Sequence, residues 1–173
     1  MWKTSKRPAK SMTTEEAQEK ALNLLEYRAH SRKEIFDKLR RFTSEKVAAE
    51  VVERLTEGGV LDDENFAYVF AYESAALKYH GPVRIKRELS LRGIDADAAE
   101  NALWQITDEI GPFEERLDYL LAVKYKNCLS DEKNRAKTVQ TLFRMGYEYG
   151  MIKTAIYKVK EEIMDEWNGN EGE

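Results

Sequence analysis

The sequence predicts an all-α protein that consists of three tandem three-helix repeats and forms an elongated, curved helical array. Apolar residues recur every three or four positions along most of the 173 residues, and no convincing alternating pattern of a strand occurs. The same order of helix caps, apolar stripes and glycine turns returns with a period of about 50 residues, which is typical of stacked repeats. The alternative is that the three units fold into one compact helical bundle.

The first repeat is predicted at residues 13–61. A cap at residues 13–16 begins its first helix, Ser31 caps the second, which ends near Phe42, and Ser44 caps the third. Two glycines at residues 58–59 stop the third helix. The apolar stripe is Ala17, Ala21, Leu24 and Leu25 on the first helix and Val47, Val51, Val52 and Leu55 on the third.

The second repeat is predicted at residues 62–110. Asp62 and Asp63 cap its first helix, and Pro82 begins the second directly after Gly81. The residues expected to face the core are Phe66, Phe70 and Leu77 on the first helix, Ile85 and Leu89 on the second, and Ala98, Ala102, Leu103 and Ile106 on the third.

The third repeat is predicted at residues 111–167. A shift of 53 residues takes Leu89 to Leu142 and Gly93 to Gly146, so the middle helix and its turn recur. The first helix of this repeat carries Phe113, Leu117, Leu120 and Leu121.

The two ends of the chain differ from the repeats. Residues 1–12 carry four bases and no acid and are expected to form a mobile basic arm, and residues 168–173 form an acidic tail. No segment resembles a transmembrane helix or a secretory signal. A single cysteine, Cys128, cannot form an internal disulfide and suits a reducing compartment. We therefore expect a cytoplasmic protein that does not bind membranes.

Motifs for catalysis are missing from the sequence. His30 and His80 lie near helix junctions without the spacing of metal ligands, and no glycine-rich phosphate loop is present. Cys128 has no base partner in the sequence, which favours a structural or incidental role. We expect no enzyme activity, no metal and no cofactor.

The charge is distributed unevenly although the chain carries a net charge of -4. The middle helix of each repeat is basic: residues 31–42 have five bases and two acids, residues 81–93 have four and one, and residues 131–145 have four and two. Such helices suit a phosphate backbone or an acidic protein groove. The alternative is a solvated surface on which these charges pair locally and bind nothing.

Four stretches resemble the RecX family of bacterial regulatory proteins: residues 31–39 (SRKEIFDKL), 61–67 (LDDENFA), 79–89 (YHGPVRIKREL) and 92–94 (RGI). The resemblance implies three three-helix repeats that bind the RecA recombinase and its filament on single-stranded DNA. It implies inhibition of recombinase and ATPase activity, and thereby modulation of DNA repair and the SOS response, without catalysis of its own. One departure is Phe42-Thr43, where the other repeats have a glycine after the middle helix.

The resemblance also implies roles for single residues. Leu61, Phe66, Ile85 and Leu89 are expected to hold the repeat, Asp62 and Asp63 to cap a helix, and Gly81, Pro82 and Gly93 to form the turns. The candidates for contact with RecA or its filament are Arg32, Lys33, Arg40, Arg41, Arg84, Lys86, Arg87 and Arg92.

The expected partners are RecA protein and the RecA–single-stranded DNA filament, with weak direct DNA contact as a further prediction and a monomeric protein. One alternative is a stand-alone DNA-binding protein with helix-turn-helix units, although the third helices at residues 44–57 and 96–107 are acidic, which disfavours it. The other is a helical-repeat scaffold for a different protein.

Overall fold

The described part of the chain is helical and has no strand. The computed structural model describes residues 12–129 and 131–169, with side chains as far as residue 161. The helices are α1 (Thr14–Tyr27), α2 (Arg32–Leu39), α3 (Glu45–Glu57), α4 (Asp63–Ala76), α5 (Pro82–Leu91), α6 (Ala96–Ile110), α7 (Phe113–Leu120), α8 (Glu132–Met145) and α9 (Tyr149–Gly169). A π-helical turn at Leu121–Tyr125 and a 3₁₀ turn at Lys126–Cys128 lie between α7 and α8.

The nine helices of the described residues form three repeats, which confirms the predicted fold class. In each repeat the first and middle helices pack on the third, so that α3, α6 and α9 each support two neighbours. The first repeat has an apolar core of its own, whereas the second and third share one continuous core. The first repeat is therefore a unit with its own core beside two repeats that share one, and a row of repeats describes this better than one central bundle.

Side-chain caps begin most of the helices. Thr13 forms a capping box with Glu16, because its hydroxyl accepts the Glu16 N–H at 3.2 Å and its own N–H donates to the Glu16 carboxylate at 2.9 Å. Ser31 and Ser44 cap α2 and α3, and Asp62 accepts two N–H groups at the start of α4. Each cap contributes about 1 kcal/mol to stability, so these helix starts are defined locally.

The buried face of α4 differs from the expected stripe at its end. Leu77 follows the last residue of the helix and is 71% exposed. The helix ends at Ala76, and Tyr79, with a φ of 53°, turns the chain two residues after Leu77. Three of the buried residues of α4 are alanines, which allow α4 to lie close against α6. The buried residues of α4 are Phe66, Ala67, Ala71, Ser74 and Ala75.

The beginning of the described chain is anchored to the first repeat. The N–H of Met12 donates to the carbonyl of Phe42 at 3.1 Å, and the Thr43 hydroxyl donates to the Met12 carbonyl at 2.9 Å. Met12 therefore does not belong to a free arm, and residues 1–11 of the predicted arm lie outside the described residues. Residues 168–169 of the predicted tail continue α9, and residues 170–173 are not described. Within the described ranges, no helix has the length and apolar character needed to cross a membrane.

Candidate interaction surface

At both junctions, a hydrogen bond joins the N-cap of one middle helix to a carbonyl at the end of the next middle helix. The Ser31 hydroxyl donates to the carbonyl of Arg92 at 2.6 Å, and the N–H of Gly81 donates to the carbonyl of Met145 at 2.8 Å. Ser31 and Gly81 are the N-caps of α2 and α5, and Arg92 and Met145 lie at the ends of α5 and α8. The start of each middle helix thus meets the end of the next, and the three basic helices follow one another along the protein.

Glycines make this close approach possible. Gly93 and Gly146 have φ values of +82° and +95°, a backbone conformation that residues with a side chain rarely adopt. A Cβ atom on Gly93 would lie 2.7 Å from Cβ of Lys33, and one on Gly146 would lie 2.3 Å from Cβ of Arg84. The first repeat manages without this glycine because its turn receives Met12 rather than another middle helix.

A ladder of ion pairs crosses the first junction and continues along α5. Glu34 lies 3.1 Å from Arg28 and 3.7 Å from Arg92, and Glu88 lies 3.7 Å from Arg92 and 2.9 Å from Arg84. Partial burial opposes ionisation of Glu88, but the hydrogen bond from Arg84 and the charges of both arginines outweigh it and lower its pKa. The ladder alternates in sign, so it stabilises the junction instead of presenting bare positive charge.

Three of the eight candidate cations meet at the junction between the first two repeats. Arg92 also lies over the ring of Phe70, 4.4 Å from its centroid, and Lys33 donates to the carbonyl of Leu91 at 2.8 Å. Arg32 lies 3.8 Å from a carboxylate oxygen of Asp63, with about half of its side chain exposed. All three are therefore in contact with the neighbouring repeat.

The other five candidates are dispersed. Arg84 belongs to the ladder, Lys86 forms an ion pair with Glu100 on α6, and Arg40 lies 3.9 Å from Asp37 on α2. Within the part of the chain that the structure describes, Arg41 and Arg87 have neither a hydrogen bond nor an ion pair, and both are exposed. These two retain charge for an external partner.

A groove lies beside the second junction, and we call it the junction groove. Its volume is about 530 Å³, and its lining includes Arg84, Arg87 and Arg144. Phe143 and Tyr149 also line it and are 63% and 65% exposed. The neighbouring Leu142 is fully buried, so the exposed ring of Phe143 lies on the other side of α8 from the core. The groove combines arginines with exposed rings, as surfaces that bind anionic or aromatic partners do.

The two histidines occupy equivalent positions beside the junctions. His30 precedes the N-cap of α2 and His80 precedes that of α5. Burial is the main factor that lowers the pKa of each ring. In the described ranges, no group of three His, Cys, Asp or Glu residues could hold a metal ion. His30 is buried and His80 is partly buried beside its junction.

The apolar residues of the structural motif divide between two cores. Phe66, Ile85 and Leu89 are buried in the core shared by the second and third repeats, whereas Leu61 is buried in the core of the first. Leu61 thus lies at the boundary between two repeats and belongs by packing to the earlier one.

Family models match the first two repeats of the chain. The model described as "RecX, first three-helix domain" matches residues 17–55, and the one described as "RecX, second three-helix domain" matches residues 62–103.

Individual relatives extend the similarity further along the chain. The regulatory protein RecX of Xanthomonas axonopodis pv. citri is 34% identical over 139 residues, which are 79% of this chain and 83% of that protein. The regulatory protein RecX of Bacillus subtilis is 32% identical over 146 residues, 83% of this chain but 54% of that protein. The chain therefore spans about half the length of the Bacillus relative. A crystal structure of RecX from Lactobacillus salivarius superposes with a TM-score of 0.71 at 31% identity and covers 85% of this chain and 96% of that one.

Proposed function

We propose that this chain, which belongs to the RecX family of regulatory proteins, binds the RecA recombinase and its filament on single-stranded DNA. By binding, it inhibits strand exchange and ATP hydrolysis by RecA. By this action it would modulate DNA repair and the SOS response in the cytoplasm. The protein acts as a monomer, catalyses no reaction of its own and does not bind membranes.

The observation that supports this proposal most is the succession of the three middle helices. The start of α2 lies at the end of α5, and the start of α5 lies at the end of α8. Each of these helices lies in a segment with net positive charge. A row of basic helices can contact several neighbouring subunits of a filament at once, and linked contacts raise the overall affinity well above that of each single contact.

The eight candidate cations have different roles in this proposal. Arg41 and Arg87 contact RecA directly, because their charges are not neutralised by described neighbours. Arg40 and Lys86 lie beside them, and each has one carboxylate partner that a filament could replace. The remaining four, Arg32, Lys33, Arg84 and Arg92, hold the junctions that set the spacing of the surface.

The decisive experiment is a titration of this protein into the cognate RecA during single-stranded-DNA-dependent ATP hydrolysis. Binding of the protein alone to the same DNA is measured in the same buffer. We expect inhibition at concentrations well below those at which the protein binds bare DNA. Undiminished hydrolysis by RecA with the folded protein in excess would overturn the proposal and favour a scaffold for another partner.

Weak direct contact with DNA is a second proposal, and the junction groove supports it. Arg87 and Arg144 can approach phosphates while Phe143 and Tyr149 offer exposed rings for base stacking, which is worth about 1–3 kcal/mol per base. The affinity for single strands should fall steeply as salt increases, because phosphate contacts release counterions. Affinity that does not change with salt would exclude this contact.

A further inference from the structure

A second groove runs between α8 and α9, on the third repeat, and nothing in the described chain fills it. Its volume is about 940 Å³, and its lining includes Val139 from α8 and Ile156 from α9. Tyr149 and Tyr157 border it and are 65% and 64% exposed. Large exposed rings beside an apolar floor are unusual on a surface that faces only water. We call this feature the α8/α9 groove; Tyr149 lies on the ridge between it and the junction groove.

The corresponding position differs in the other two repeats. In the second repeat, the ion pair between Lys86 and Glu100 joins the middle helix to the third helix across this position. In the first repeat, a groove of about 660 Å³ is open between α2 and α3. The helical repeat thus forms the groove, and the side chains at its border decide whether it is open.

The charges at the border distinguish the open grooves. In the first repeat, Arg32 and Lys33 face Glu53 and Glu57, so the charges balance. The third repeat has three bases and one acid at its border, which gives a positive excess. These residues are Arg135, Lys153, Lys160 and Glu132.

The length of the groove suits a short helix. Its lining on α9 extends from Tyr149 to Lys160, about 17 Å at 1.5 Å per residue, or three helical turns. A partner helix of that length places apolar side chains at every third or fourth position against such a floor. Single-stranded nucleic acid could stack on the tyrosines but would leave the apolar floor of Val139 and Ile156 uncovered, whereas the apolar face of a helix covers it.

We propose that the α8/α9 groove is a docking site for an acidic amphipathic helix of a partner protein. The apolar face of that helix packs on Val139 and Ile156 between the two tyrosines, and its carboxylates pair with Arg135, Lys153 and Lys160. This surface lies on the third repeat and includes none of the eight candidate cations. It requires only this protein and the helix, so its test is independent of RecA inhibition.

The test uses a fluorescein-labelled synthetic peptide of about 15 residues, with leucines at helical spacing and glutamates on the opposite face. A second peptide carries lysines in place of the glutamates, and a third has the acidic composition in scrambled order. We expect the acidic helix to bind in fluorescence anisotropy with a Kd on the order of 10 μM and the other two to bind at least about tenfold more weakly.

Matched variants locate the binding site. The double variant Arg135→Glu/Lys153→Glu should weaken binding of the acidic peptide at least about tenfold, because it reverses two charges at the border. The control Lys133→Glu/Lys137→Glu makes the same change in charge on α8 outside the groove and should retain the affinity. Circular dichroism of all variants checks that their helical content is unchanged.

Several results would overturn the proposal. They are equal affinity for the acidic and basic peptides, equal loss in the control and groove variants, and displacement of the peptide by an oligothymidylate from the groove. Failure of the acidic peptide to bind at about 1 mM would do the same, because even weak helix-in-groove contacts are measurable there.

Discussion

Asp63 caps a helix in the repeat before its own. It is the first residue of α4, yet its carboxylate accepts the backbone N–H of Arg32, the first residue of α2, at 2.9 Å. The preceding residue, Asp62, caps α4 itself. Two adjacent aspartates therefore serve two helices in different repeats, and the second of them joins the repeats.

Replacing each aspartate should separate these two roles. Asp62→Ala and Asp63→Ala should each lower the free energy of unfolding by about 1 kcal/mol, because each removes a helix cap. Only Asp63→Ala should speed hydrogen exchange at the start of α2, since its partner lies there. Urea unfolding and amide exchange by mass spectrometry measure the two effects. Faster exchange of α2 in Asp62→Ala as well would show that the roles are not separate.

The turn glycine at the second junction gives a second prediction. Gly146→Ala should cost about 3 kcal/mol or more, because it combines a left-handed backbone with a Cβ atom 2.3 Å from Cβ of Arg84. Gly59→Ala is the control, since its φ is +70° but nothing lies within 4 Å of the new atom. It should cost about 1 kcal/mol. Equal losses in thermal unfolding would mean that the backbone alone, and not the close approach, requires Gly146.

The buried histidines predict that stability falls in mild acid. Burial lowers the pKa of His30 and His80 below the usual histidine value of 6.5, so the folded protein keeps both rings neutral where the unfolded chain protonates them. Since the unfolded state binds more protons, the free energy of unfolding decreases as pH falls through 6.5 towards the folded pKa values. Urea unfolding at a series of pH values measures the slope.

The histidine variants identify the source of that slope. His30→Gln and His80→Gln should each reduce the dependence of the unfolding free energy on pH in this window. An unchanged slope in the double variant would assign the acid sensitivity to the carboxylates. Glu34 and Glu88 lie near the two rings and favour their protonated forms, so they partly offset the effect of burial.

Sequence reasoning succeeded where the determining contacts are local. Ser31 and Ser44 cap helices whose N–H groups lie three residues away, and such a pattern is visible in the sequence. It failed where contacts join distant residues. Arg92 and Glu34 are separated in the sequence by more than one repeat length, so their ion pair depends on how the repeats stack.

The ladder at the first junction should show measurable coupling. Arg92→Ala should cost about 1–2 kcal/mol, because it removes contacts with Glu34, Glu88 and the ring of Phe70. A double-mutant cycle with Glu34→Ala should give a coupling energy of about 0.5 kcal/mol that decreases with added salt. If urea unfolding shows that the two losses in the free energy of unfolding are additive, Arg92 and Glu34 contribute to stability only through their other neighbours.

Charge reversal at Arg87 tests direct contact with RecA. Arg87 is exposed on α5 beside the junction groove and, in the described ranges, makes no ion pair, so Arg87→Glu should leave the melting temperature unchanged. The same change at Arg84 would break its ion pair with Glu88, so a loss of stability would not be separable from a loss of RecA binding. We expect Arg87→Glu to raise the concentration for half-inhibition of RecA ATP hydrolysis about tenfold, because it replaces an attraction with a repulsion.

The matched control for Arg87→Glu is Lys46→Glu, which makes the same charge change at an exposed position on α3 and not on a middle helix. It should keep the half-inhibition concentration within about twofold of the unaltered protein, since substitutions at exposed positions without contacts have small effects. Equal loss of inhibition in both variants would mean that RecA responds to net charge alone. Full inhibition by Arg87→Glu would remove α5 from the contact surface and leave the cations at the end of α2, Arg40 and Arg41, as the next residues to reverse.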